Sequence, residues 1–152
     1  MKILAIDPGE STGVAWVEVF KDWSIECTKL QTLSYADTIA MLSTHSSTYK
    51  NTINELNVII CEKFIIRPIL VGFAKPYSAQ IVGAIDLYST ITNVCIAWQQ
   101  PSDIKPYMSY IGIVLSQLNT KAYTQHEKDA LMHAIAYLAK MSPRKMYDWL
   151  GI

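Results

Sequence analysis

No apolar run in this sequence approaches the length needed to cross a bilayer, and the opening MKILAIDPG has neither the apolar stretch nor the cleavage site of a secretory leader. A cytoplasmic protein is the expectation. Cysteine is sparse: Cys27, Cys61 and Cys95 are odd in number, far apart and without a C-x-x-C pair, which argues against a disulfide-stapled fold and for reduced thiols in a core. Charge of one sign is missing too, since 13 Lys and Arg balance 13 Asp and Glu. A protein that grips nucleic acid through a large global positive field is thereby disfavoured. There is no repeat, no low-complexity block and no Gly/Ser/Pro linker, so a single domain over residues 1–152 is expected.

What is present fits a globular chain. At 152 residues and 51% apolar composition, folding can bury about two-thirds of the surface exposed by the unfolded chain. The neutral total hides an asymmetry. Residues 1–62 carry four Lys against eight Asp and Glu, a balance of −4, while residues 63–152 carry nine Lys and Arg against five acids, a balance of +4. If cations neutralise some of the first group, the working molecule is more basic than its formula, and a polyanionic partner stays in view.

The patterning predicts strands at 2–6, 13–20 and 24–33 joined by tight turns as an antiparallel meander. A helix is expected from Ser34, its N-cap, to about residue 50, and a fully apolar strand over 57–62. An amphipathic helix follows at 76–91 with Pro76 near its start, then a strand at 93–100 closed by Pro101. The remainder reads as helical, most clearly at 124–141, capped by Thr124 and ended before Pro143.

Two strands end on a carboxylate. ILAIDPGESTGVAW (3–16) stops its apolar run at Asp7 and turns on Pro8 and Gly9, and VIICE stops at Glu62. An ionised carboxylate at a covered strand end is costly unless something cationic or hydrogen-bonding meets it. On the last long helix, His126, Asp129 and His133 fall within roughly 60° of arc, a polar edge beside the apolar face. Carboxylates on separate rigid elements suit hard divalent ions, and two such ions neutralise the attacking and leaving oxygens of a phosphodiester. Asp7 is the candidate bridging ligand, and an imidazole in the set makes Mn²⁺ as acceptable as Mg²⁺.

The element order is that of the ribonuclease-H-like α/β fold, a mixed five-stranded sheet of three antiparallel strands then two parallel ones, with helices on both faces. The chain resembles the RuvC-type Holliday-junction resolvases over nearly its whole length, most closely their compact bacteriophage versions. AIDPGESTG (5–13), VIICEKF (58–64), SAQIVGAI (78–85), QQPSDIK (99–105) and HEKDALMHAIAYL (126–138) carry the resemblance. It implies Asp7, Glu62, His126 and Asp129 as catalytic metal ligands for two Mg²⁺ or Mn²⁺ ions, and branched DNA as substrate. It also implies a homodimer, Lys105 near the scissile phosphate, and Phe64 as a wedge candidate one residue off the bacterial spacing. Lys63 and Lys75 are counted with them on the DNA side, and His133 as a residue behind the ligands. The helix at 76–91, with Gly83, Ala84 and Tyr88, is the expected dimer surface. Rival readings are a phosphotransferase of the actin and sugar-kinase fold, whose phosphate loop DPGESTG resembles, and an inactive junction-binding module.

Overall fold

The structure, a computed structural model, describes residues 1–43, 55–63, 76–117 and 123–150. Three strands open the chain: β1 (Lys2–Asp7), β2 (Ser11–Val19) and β3 (Ile25–Ser34). They pair antiparallel in sequence, as the tight DPG turn dictates. Thr12, fully buried, clasps that turn by donating its hydroxyl to the Gly9 carbonyl at 3.0 Å. Helix α1 (Tyr35–Leu42) starts where Ser34 accepts the Asp37 N–H. It stops at Ser43, whose extended backbone ends the helix well short of the residue 50 expected from sequence; residues 44–54 lie outside the described set.

β4 (Val58–Glu62), α2 (Tyr77–Thr92) and β5 (Cys95–Gln99) form the parallel half, α2 being ended by Asn93 in the left-handed region at φ 59°. The sheet order is β3-β2-β1-β4-β5, the mixed five-stranded arrangement expected. A four-residue turn of helix, α3 (Pro101–Ile104), follows β5, with the Gln100 N–H bonded to the Asp103 carboxylate at 2.8 Å. A 3₁₀ turn (Lys105–Tyr107) leads into α4 (Met108–Gln117). Helix α5 (Gln125–Met141) begins on a capping box between Thr124 and Glu127, and α6 (Pro143–Leu150) closes the chain. Among the described residues no helix is long and apolar enough to cross a membrane.

Strand alternation sorts the core into two layers. Leu4, Ile6, Val14, Trp16, Ile59 and Cys61 face α1 and α2. Ile3, Ala5, Ala15, Val17, Val58 and Ile60 face α4 and α5. The thiols divide accordingly: Cys61 is buried, Cys27 half-buried with its pKa pushed up by burial to about 11, and Cys95 exposed, so the reading of three core thiols fails for Cys95. It begins β5, where only the later residues are covered. Tyr88, expected on a dimer surface, is instead 3% exposed and packed in the α1/α2 layer.

The second layer is thin where α5 starts. Gly13 lies beneath it, and a Cβ there would come within 1.8 Å of the His126 carbonyl oxygen. Backbone against backbone has no flexible end to yield. Gly13→Ala is expected to lose about 1–3 kcal/mol of stability in urea unfolding. Gly83→Ala, on an open helical surface with nothing within 4 Å, should instead gain roughly 0.5–1 kcal/mol. Equal responses would contradict this account of the packing.

Candidate active site

Register decides where the acids go. Asp7 follows the paired residues Ile6 and Cys61, which sets the end of β1 beside the end of β4, and Glu62 is paired with Gln99 on β5. Asp7, Glu62 and Gln99 therefore form a row across three adjacent strand ends. Each keeps the parity of Ala5 and Ile60, two residues earlier, so all three side chains take the face on which α5 packs.

Helix α5 brings the facing groups. Its first turn is pinned to the sheet: Thr32 on β3 bonds the Thr124 hydroxyl at 2.7 Å and the Glu127 carboxylate at 3.3 Å, and Gly13 leaves room for the His126 carbonyl. His126 Nδ1 stands 3.2 Å from Asp7 Oδ2. One turn on, the Asp129 carboxylate accepts from Gln125 Nε2 at 2.7 Å. A turn further, His133 is 2% exposed, with Nδ1 2.8 Å from Gln99 Oε1 and Nε2 3.5 Å from Glu62 Oε2. Behind Asp7, Ser78 at the start of α2 donates to the Pro8 carbonyl at 2.7 Å and fixes the turn from the opposite layer.

The result is a cleft of about 220 Å³ lined by Asp7, Glu62, Asp129 and His133 together with Ile104, Lys105 and Met108 from the segment after β5. Of the predicted residues, Asp7, Glu62, Asp129, His133 and Lys105 meet there. His126 reaches the cleft through Asp7, its own side chain half exposed. Lys63, exposed just after β4, does not line it, so its placement on the DNA side gains no support from the cleft. Phe64 and Lys75 lie outside the described residues. Sequence reasoning missed Gln99, Gly13 and Ser78. For Gln99 a signal existed, a polar residue ending an apolar strand as Asp7 and Glu62 do.

The electrostatics are those of an anionic pocket. Burial lifts the Asp7 carboxyl above its ordinary value, the His126 hydrogen bond pulls it back, and the charges of Asp129 and Glu62 push it up again. Among the described residues no Lys or Arg is ion-paired with Asp7, Glu62 or Asp129. Asp7 Oδ2 is engaged by His126 and Asp129 Oδ1 by Gln125, while Glu62 Oε2 stands 3.5 Å from His133 Nε2. Among the described residues no three His, Cys, Asp or Glu side chains close tightly enough to grip an ion as they stand. The donor set nevertheless fits a hard divalent cation: it is oxygen-rich, anionic and uncompensated.

No family model matches the sequence, and no curated protein sequence matches it. Solved structures do. Thermus thermophilus RuvC superposes with a TM-score of 0.67 at 16% identity, over 99% of this chain and 97% of that one. The chain has the RuvC-like ribonuclease-H fold. T. thermophilus RuvC in complex with a Holliday junction substrate gives a TM-score of 0.63 at 15% identity, over 93% of this chain and 97% of that one. The yeast mitochondrial Holliday junction resolvase Ydc2 gives 0.54 at 12%, over 98% of this chain and 80% of that one.

A pH prediction follows from Asp7. Because the folded chain holds this proton more tightly than the unfolded one, stability falls as pH rises from near 3.8 through the raised value, and stays lower above it. With chelator present, Asp7→Asn should melt at a higher temperature than wild type at about pH 7, the advantage shrinking toward about pH 3. Thermal unfolding across that range checks it, and a neutral-pH loss would refute it.

Proposed function

We propose that the protein is a divalent-metal-dependent, structure-selective DNA endonuclease that resolves four-way junctions, acting in the cytoplasm. One observation carries the reading: Asp7, Glu62 and Asp129, from two strand ends and a helix, line one cleft without a basic partner, on a fold shared with junction resolvases. In this reading Asp7, Glu62 and Asp129 would hold two Mg²⁺ or Mn²⁺ ions, with His126 beside Asp7. Ions so held supply charge neutralisation at the attacking and leaving oxygens of a phosphodiester.

The chain's own groups do the rest. His126 holds Asp7 Oδ2 and thereby turns the other oxygen of that carboxylate into the cleft. Lys105, an exposed residue lining the cleft, offers a point charge to a non-bridging phosphate oxygen. Ile104 and Met108 make part of the lining apolar, which limits competing water and strengthens the charge interactions inside. Water adds to phosphorus, the P–O3′ bond breaks, and the products carry 5′-phosphate and 3′-hydroxyl.

A junction presents two symmetric strands, so resolution calls for two such clefts and hence a homodimer. The support here is an apolar groove between α1 and α2 lined by Ile39, Leu42, Ala84, Leu87, Tyr88 and Ile91, where Leu87 is 62% and Ile91 59% exposed. It modifies the expected surface: the α2 face involved is that of Leu87 and Ile91, with Tyr88 beneath them.

The decisive experiment incubates a synthetic four-way junction with Mg²⁺ or Mn²⁺. Asp7→Asn, Glu62→Gln and Asp129→Asn should each cut at least about 10²-fold more slowly, while still binding the junction. Wild-type binding without cutting would instead make this a junction-binding module, and retained cutting by Asp7→Asn would end the proposal. Sedimentation should give a dimer for wild type and a monomer for Leu87→Asp.

A further inference from the structure

Gln99 and His133 form a buried pair that the reading above leaves without a task. They are 6% and 2% exposed, and their contact joins the strand-end row to α5 at 2.8 Å. With the amide oxygen facing the ring, Nδ1 carries the proton and donates it. Nε2 is then a lone pair, and it points at Glu62 Oε2 from 3.5 Å. Two acceptors facing each other in an anionic cleft call for positive charge between them, supplied either by a second proton on the ring or by a metal ion, and nitrogen coupling to bound Mn²⁺ separates the two.

The separation is close to that of two ligands on one ion. Two donors each about 2.1 Å from a shared cation stand about 3.0 Å apart at the right angle of an octahedral Mg²⁺ or Mn²⁺ site, so the 3.5 Å gap needs only a side-chain shift of about 0.5 Å to close on one. A ligating histidine also characteristically donates its other ring N–H to a neighbouring oxygen, which fixes tautomer and orientation. Gln99 supplies that oxygen.

We propose that His133 ligates, through Nε2, the divalent ion held by Glu62, with Gln99 as the positioning residue that fixes its ring. The inference rests on the metal-dependent reading of the cleft and adds His133 as an imidazole ligand to its carboxylates. An imidazole ligand biases a carboxylate site toward first-row ions, so Mn²⁺ should be favoured over Mg²⁺ more strongly than three carboxylates alone would achieve.

The test loads the full chain with Mn²⁺ and reads imidazole nitrogen coupling by pulsed electron paramagnetic resonance. The sequence has three histidines, so a chain with His45→Ala and His126→Ala keeps His133 alone. Nitrogen coupling should persist in that chain and vanish when His133→Gln is added. Gln99→Leu should weaken Mn²⁺ binding about tenfold or more and Mg²⁺ binding less, whereas a merely structural Gln99 would move both ions alike. Bound Mn²⁺ without nitrogen coupling in the sole-histidine chain overturns the assignment and leaves the metal-dependent reading standing. Failure of wild type to bind Mn²⁺ overturns both. If the sole-histidine chain binds no Mn²⁺ where wild type does, wild type against His133→Gln decides: a reduced nitrogen signal supports the assignment, and an undiminished one overturns it.

Discussion

The cleft depends on how near the first turns of α5 can lie to the ends of β1 and β2. That distance is set by missing side-chain atoms: Gly13 under the His126 carbonyl, and Ala5 and Ala15 on the strands in one layer with Ala130 and Ala134 on the helix. Large residues at these positions would lift the helix and carry Asp129 and His133 away from Asp7 and Glu62. The polar fastening at the same end, Thr32 to Thr124 and Glu127, fixes rotation and axial position as well as closeness. Small residues permit the approach and hydrogen bonds select one pose within it, which is how a helix can present charged groups to a sheet with little freedom left to them.

Holding three carboxylates together has a cost that the fold accepts at this one place. Asp7 feels both neighbours and its own burial, and among the described residues no Lys or Arg offsets it. Many local choices agree with the fold: caps at Ser34 and Thr124, a left-handed Asn93 ending α2, and apolar residues at the alternating strand positions that face each layer. A cluster of like charges amid such consistency is the kind of local conflict expected where function, not packing, sets the sequence, which is the ground of the proposed reading. His126 and Gln125 sharpen the point, because their hydrogen bonds orient Asp7 and Asp129 without adding a Lys or Arg charge to the cluster.

Much of this was legible in the sequence because period-two and period-3.6 patterns report directly on what faces the core. β1, β2, β3 and β4 could be placed within a residue or two, and Asp7 and Glu62 were recognisable as strand ends because apolar runs stop there. The stop of α1 at Ser43 was not foreseen, although the run of Thr and Ser that follows Leu42, weak helix formers, carried a local hint of it. Gln99 was also missed as a site residue: as a polar residue ending an apolar strand it carried a local signal, but only the register across β4 and β5 sets it beside Glu62. Gly13 read only as the first residue of the strand expected at 13–20, because the atom it must avoid lies 113 residues away in sequence.

The charge distribution acquires a sense once the cleft is known. Asp7 and Glu62 belong to the −4 half of the chain, whereas Lys105, which lines the same cleft, belongs to the +4 half. Without cations the three carboxylates outweigh that lysine and would repel a phosphate. On the proposed reading, two divalent ions would bring four positive charges against three negative ones, and Lys105 would then act in concert with them. A neutral protein could thus hold a polyanion without a broad basic surface, provided that cation and nucleic acid arrive together, and attraction would be confined to the cleft.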